Sequence, residues 1–102
     1  MKKSFLIISV FICAFINAQE ITYKTIENLS YRVSQDAYAK ERCLLDIYYP
    51  DSIKDCPTVI WFHGGGLTSG NKSIPGKLRE CGIIVVAVNY RLLPRVTISE
   101  CL

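Results

Sequence analysis

Residues 57–73 read PTVIWFHGGGLTSGNKS. Pro57 to Phe62 is apolar without interruption and contains β-branched Val59 and Ile60; three consecutive glycines and then Lys72-Ser73 follow. A strand apolar on both faces belongs to a parallel sheet covered by other elements. A second such run, IIVVAV, spans residues 83–88. Between the two, Ser73 to Glu80 is expected to form a short helix, with Pro75 in its first turn and Gly82 just past its end. Strand, crossover and parallel strand make a βαβ unit, so the predicted class is α/β.

A strand followed by a glycine-rich loop serves two different chemistries. A phosphate-binding loop needs glycine, four residues, then Gly-Lys-Ser/Thr. Gly65 and Gly70 have that separation, but Asn71 intrudes before Lys72-Ser73. The extra residue turns the lysine away from a phosphate and moves the hydroxyl off a metal, so this reading is disfavoured. The second chemistry is ester cleavage, where backbone N–H groups stabilise the oxygen on which negative charge develops. Removing one such donor typically lowers the rate by about 10² to 10³. Glycine lets a loop turn sharply and lets substrate approach several amides at once.

Working outward, Arg42 to Tyr49 reads RCLLDIYY, with Cys43, Leu45, Ile47 and Tyr49 on one face of a half-buried strand stopped by Pro50-Asp51. Ile21 to Val33, rich in Thr, Tyr and Ile, is expected to supply one or two outer strands. Lys2-Lys3, the apolar run Phe5 to Ile16, and Ala18 before Gln19-Glu20 have the anatomy of a secretory signal peptide, with cleavage expected after Ala18. The apolar run is too short to cross a hydrocarbon core of about 30 Å as a helix, so no permanent membrane span is expected. A lipoprotein reading through Cys13 is weaker, because Phe11 and Ile12 are bulky where small residues are usual. The expected organisation is therefore a signal peptide over residues 1–18 and a domain segment over 19–102, secreted or periplasmic.

The chain has 102 residues, 12 basic and 9 acidic, and Lys2 and Lys3 leave with the signal. The remainder is close to neutral and carries no basic stripe, which argues against a nucleic-acid partner. Cys43, Cys56, Cys81 and Cys101 remain after cleavage. They read as small buried hydrophobes, Cys43 inside a strand and Cys81 at a helix end, with a disulfide as the alternative in an oxidising compartment. One histidine and no C-x-x-C spacing make a zinc site improbable.

His63-Gly64-Gly65-Gly66 after an apolar strand resembles the oxyanion motif of α/β-hydrolase lipases and esterases. LLDIYYP (44–50), PTVIWFHGGG (57–66) and GIIVVAVNYRLLP (82–94) resemble, in order, that family's second strand, its third strand and loop, and its fourth strand and following turn. The resemblance is nearest to secreted bacterial carboxylesterases that include acetyl-xylan and feruloyl esterases, and to the hormone-sensitive-lipase-like group. It implies the N-terminal portion of an α/β-hydrolase, strands one to four with the first helix, in an incomplete sheet. It further implies that Gly65 and Gly66, with Gly64 as the weaker match, present amides to an oxyanion. His63 and Arg91 would support the loop and the turn after the fourth strand, Arg91 through a carboxylate. Asp46 would be structural, and Tyr90 and Trp61 core or pocket wall. Chemistry in the family needs no cofactor or metal, and its substrates would be esters, with short acyl groups on plant polysaccharide as the expectation.

The departure from the family is equally specific. Its enzymes carry a serine on a G-x-S-x-G elbow, then an acid, then a histidine. These residues contain no G-x-S-x-G, and their one histidine, His63, precedes where a nucleophile would stand. Ser69 and Ser73 have no base. The reading is thus a fragment carrying an oxyanion loop without nucleophile, acid or catalytic histidine, inactive by itself. A secreted binding module or decayed-gene product is the alternative, and a peptidase or arylformamidase of the same fold a lesser one. The pattern also predicts an exposed apolar edge at TVIWF.

Overall fold

The computed structural model describes residues 21–102; the expected signal peptide lies outside them. Strand β1 (Tyr23–Ser30), helix α1 (Ala37–Arg42), and strands β2 (Leu44–Pro50), β3 (Thr58–Phe62) and β4 (Ile84–Val88) follow one another, with 3-10 turns at Gly76–Leu78 and Ile98–Glu100. The strands form one sheet in the order β1-β2-β4-β3. β1 and β2, and β2 and β4, pair antiparallel; β3 and β4 pair parallel, Ile60 opposite Val86 and Phe62 opposite Val88. The mixed sheet follows from connection lengths, since β3 and β4 alone are joined by a long crossover.

β4 is the central strand, and Val85 and Ala87 on it are fully buried. By alternation these residues share a face with Val59 and Trp61, and by register with Asp46 and Tyr48. The crossover runs over that face: Lys72 Nζ lies 3.0 Å from Asp46 Oδ1, and the Glu80 amide donates to the Tyr48 hydroxyl at 3.1 Å. The opposite face, with Leu45, Val86, Val88, Ile60 and Phe62, is an open apolar surface. Ile60 is 60% and Phe62 49% exposed there. Among the described residues β3 is an edge strand, so the run read as a strand covered on both faces is half uncovered, as the predicted exposed edge requires.

Three expectations need correction. The helix predicted over Ser73 to Glu80 is only the 3-10 turn Gly76–Leu78. Pro75 supplies no amide, Gly76 is a poor helix former, and Glu80 and Gly82 have positive φ. The amides at its far end are instead used by tyrosines of the sheet: Glu80 N by Tyr48, and Gly82 N by the Tyr23 hydroxyl at 2.8 Å. Those two tyrosine rings stack at 5.0 Å.

A helix does form where a strand start was expected. Asp36 caps α1, its Oδ2 accepting from the Ala39 amide at 3.0 Å, and Arg42 is the last helical residue. Cys43 is therefore the cap that ends α1, not a strand residue, and its amide bonds to the Ala39 carbonyl at 2.8 Å. The face expected to be buried in β2 is only partly so; Tyr48, on the other face, is the buried tyrosine.

The third correction concerns the thiols. All four cysteines of the described residues are free; Cys43 and Cys101 are buried, but Cys81 is exposed and Cys56 partly so. Cys81 follows a 3-10 turn rather than a helix, and without a packed helix above it nothing covers its side chain.

Candidate oxyanion loop

β3 delivers the chain to His63, and the glycines turn it back. Gly65 accepts at its carbonyl from the amides of Thr68 (3.1 Å) and Ser69 (3.3 Å). The central residues of this turn, Gly66 and Leu67, both have positive φ, 62° and 66°. Gly65 itself has φ 129°, and a Cβ there would stand 2.0 Å from the Ser69 carbonyl oxygen, so no other residue fits the turn. The Leu67 carbonyl is held by the Leu93 amide at 2.8 Å, which ties the turn to the segment after β4.

The amides of Gly64, Gly65 and Gly66 donate to no acceptor among the described residues, and all three glycines are exposed. These amides are successive unpaired N–H groups at the end of a strand, on backbone that lacks side chains.

His63 is the frame of the loop. It is 8% exposed, its Nδ1 lies 2.8 Å from the Gly64 carbonyl and its ring stacks on Tyr90 at 4.4 Å. The contact with a carbonyl makes Nδ1 the protonated nitrogen, leaving Nε2 as an acceptor 3.5 Å from Arg42 Nη2. The Tyr90 hydroxyl donates to the His63 carbonyl at 2.8 Å. A histidine held on both nitrogens and buried under a tyrosine supports backbone; it has no free nitrogen for proton transfer.

Arg91 stands elsewhere. It is 7% exposed, and its Nη2 donates to the carbonyls of Glu100 and Leu102, while Nη1 lies 3.8 Å from Asp36 Oδ2. It orders the turn after β4, with a distant carboxylate partner, but touches no residue of the glycine loop. Support of the loop was read from sequence onto Arg91 as well as His63; the arginine that donates to the Gly70 carbonyl is Arg42. Arg42 was taken for the opening residue of a strand; the signal that separates the two is Asp36 as a helix cap before Ala-Tyr-Ala-Lys-Glu-Arg.

The lysine of the loop is engaged elsewhere. Lys72 Nζ is bound to Asp46 and, at 2.8 Å, to Asn28 Oδ1, on the sheet and away from the glycines. The Asp46 carboxylate also accepts from the Asn28 amide at 2.9 Å, where β1 breaks register between Ile26 and Leu29. Ser69 Oγ donates to the Gly65 carbonyl and serves the turn. Beside the loop, a cleft of about 470 Å³ is lined mainly by Phe62, His63, Leu67, Tyr90 and Ile98. Trp61 is not part of it; it is 40% exposed on the other face of β3. No helix of the described residues is long and apolar enough to cross a membrane.

Comparison with known proteins accords with this geometry. The carboxylesterase family model matches residues 15–94. Liver carboxylesterase B-1 of Rattus norvegicus is 46% identical over 59 residues, which cover 51% of this chain and 10% of that enzyme. Among solved structures, inhibited esterase B from Lactobacillus rhamnosis aligns over 98% of this chain and 34% of its own, with a TM-score of 0.61 and 24% identity. A tributyrin phosphonate complex of the same esterase aligns equally well. The chain thus spans a tenth of the rat enzyme's length and about a third of the bacterial one's.

Proposed function

The chain belongs to the carboxylesterase family, and we propose that the protein carrying these residues hydrolyses carboxylic esters, with this segment supplying the oxyanion side of the site. Gly65 and Gly66 donate their amides to the carbonyl oxygen as it gains charge, and Gly64 stands next to them as a further donor. The observation that carries this reading is the set of free amides at Gly64–Gly66 on a turn in which Gly65 admits no side chain. The cleft beside them, walled by Phe62, Leu67 and Tyr90, suits a short acyl or aryl group. His63 is loop frame, and Ser69 and Ser73 are not nucleophiles. These residues therefore perform no turnover alone; the serine, acid and base would come from residues outside them, with no metal or cofactor. The signal-peptide pattern of residues 1–18 supports work in the periplasm or outside the cell.

A second reading, a secreted binding module on the same scaffold, is favoured by one observation: His63, the histidine beside the glycines, is contacted on both ring nitrogens. One experiment separates the two. The polypeptide secreted by its native host is isolated, its C-terminal peptides are sequenced by mass spectrometry, and hydrolysis of an activated acetyl ester is measured. Peptides reaching a G-x-S-x-G serine, with turnover abolished by a phosphonate, are expected. A host polypeptide without that serine and without turnover would overturn the esterase reading in favour of the module.

A further inference from the structure

We infer that Arg42 is the positioning residue of the oxyanion loop, a role that rests on the esterase reading for its purpose but not for its geometry. Arg42 is 9% exposed at the end of α1. Its guanidinium donates to three acceptors in two separate parts of the chain, Gly70–Asn71 and Tyr90. Nε donates to the Tyr90 carbonyl at 3.0 Å, Nη1 to Asn71 Oδ1 at 2.7 Å, and Nη2 to the Gly70 carbonyl at 3.0 Å. Nη2 also faces His63 Nε2 at 3.5 Å.

Gly70 is where this grip matters. A Cβ at Gly70 would stand 2.5 Å from both the Gly64 carbonyl oxygen and His63 Nδ1. The two ends of the glycine loop, Gly64 and Gly70, are therefore pressed together, and the residues between them form a closed turn. Arg42 holds the closing point from behind. It fixes the Gly70 carbonyl, the Asn71 side chain and the imidazole that bonds Gly64, while Tyr90, its third anchor, covers the same imidazole.

The absence of an ion pair is the second argument. No carboxylate lies within salt-bridge distance of Arg42 among the described residues. Burying a cation without a counter-charge is costly, and a hydrophobe of similar size would fill the site with less penalty. What the planar guanidinium supplies, and a hydrophobe or lysine cannot, is several donors in a fixed fork directed at several acceptors. All of those acceptors lie in, or against, the loop that presents Gly64–Gly66.

The test uses the secreted polypeptide as its host makes it, with Arg42→Met, Arg42→Lys and Asn71→Ala variants. Amide hydrogen exchange is followed by mass spectrometry for peptides over residues 63–73 and 84–88, and kcat and KM are measured on an activated acetyl ester. In Arg42→Met, exchange of 63–73 should rise by about tenfold or more while 84–88 keeps its protection. The kcat should fall by about tenfold or more with KM within twofold, since only transition-state contacts are misplaced. Arg42→Lys and Asn71→Ala should give the same loop-selective pattern with smaller amplitude. Unchanged loop exchange in all three variants would overturn the inference. So would loop and β4 loosening in proportion, in the milder variants as well as in Arg42→Met, for that is a purely structural role. If the parent has no esterase activity but the loop-selective exchange appears, the positioning role stands and the esterase reading fails.

Discussion

Tyr90 and His63 are joined twice: their rings stack 4.4 Å apart at 9°, and the Tyr90 hydroxyl donates to the His63 carbonyl at 2.8 Å. One bond fixes the backbone at the end of β3 and the other fixes the imidazole that holds Gly64. Removing only the hydroxyl separates them. Tyr90→Phe keeps the stack and orphans a buried carbonyl, and is expected to lower stability by about 1–2 kcal/mol. Tyr90→Leu loses the stack as well and should cost roughly 1 kcal/mol more. Urea unfolding of both variants checks the ranking; equal losses would mean that the hydroxyl, not the ring, carries the contact.

The three glycines are not equivalent. Gly64→Ala meets open space without a left-handed φ and should stay within about 0.5 kcal/mol of the parent. Gly66→Ala also meets open space, but at φ 62°, where an L-residue costs about 1–2 kcal/mol. Gly65→Ala drives a methyl group into the Ser69 carbonyl and must break the turn. On the proposed esterase reading, the kcat of the full-length protein should fall by about 10² to 10³, the loss of one oxyanion donor. A Gly65→Ala enzyme with parental kcat would remove Gly65 from the site.

The apolar face and open edge of β3 predict the behaviour of the segment by itself. Residues 57–62 contain no charge to deter edge pairing. Residues 21–102 expressed alone should self-associate, and Ile60→Lys, at a 60% exposed position on that face, should raise the monomer fraction severalfold in size-exclusion chromatography with light scattering. A monodisperse parent segment with a sharp thermal transition would contradict this.

Tyr31 predicts an alkaline limb. Its hydroxyl donates to the Asn89 carbonyl at 2.6 Å, and burial, then the neighbouring Cys43 thiol, push its ionisation well above the ordinary tyrosine value. A folded value raised above the unfolded one gives stability that is complete below about pH 10, where neither state ionises. It is lost as pH rises from there toward the folded value, because the unfolded chain releases its proton first. Tyr31→Phe should lower stability by about 1 kcal/mol at neutral pH and flatten the decline above pH 10. Urea midpoints at pH 8 and pH 10.5 for parent and variant provide the check.

The strands and the loop were legible because their signals are local. TVIWF and IVVAV are runs, and the triple glycine marks its own turn. Arg42 was not legible, since its acceptors are two backbone carbonyls and an exposed asparagine far along the chain, and no spacing announces them. Ser73 to Glu80 looked helical from Pro75 and Gly82, the usual punctuation, but sheet tyrosines use the amides there. Arg91 was read as a support of the loop and of the turn after β4; its guanidinium donates to the Glu100 and Leu102 carbonyls, and none of its hydrogen bonds reaches the glycines.

The glycine turn is closed by hydrogen bonds that involve Arg42, His63, Tyr90 and Leu93, and its lysine reaches back to Asn28 and Asp46 on the sheet. The shape of the turn is thus set by side chains from α1, β1, β2 and the segment after β4, so a substitution far from the glycines in sequence can alter the loop.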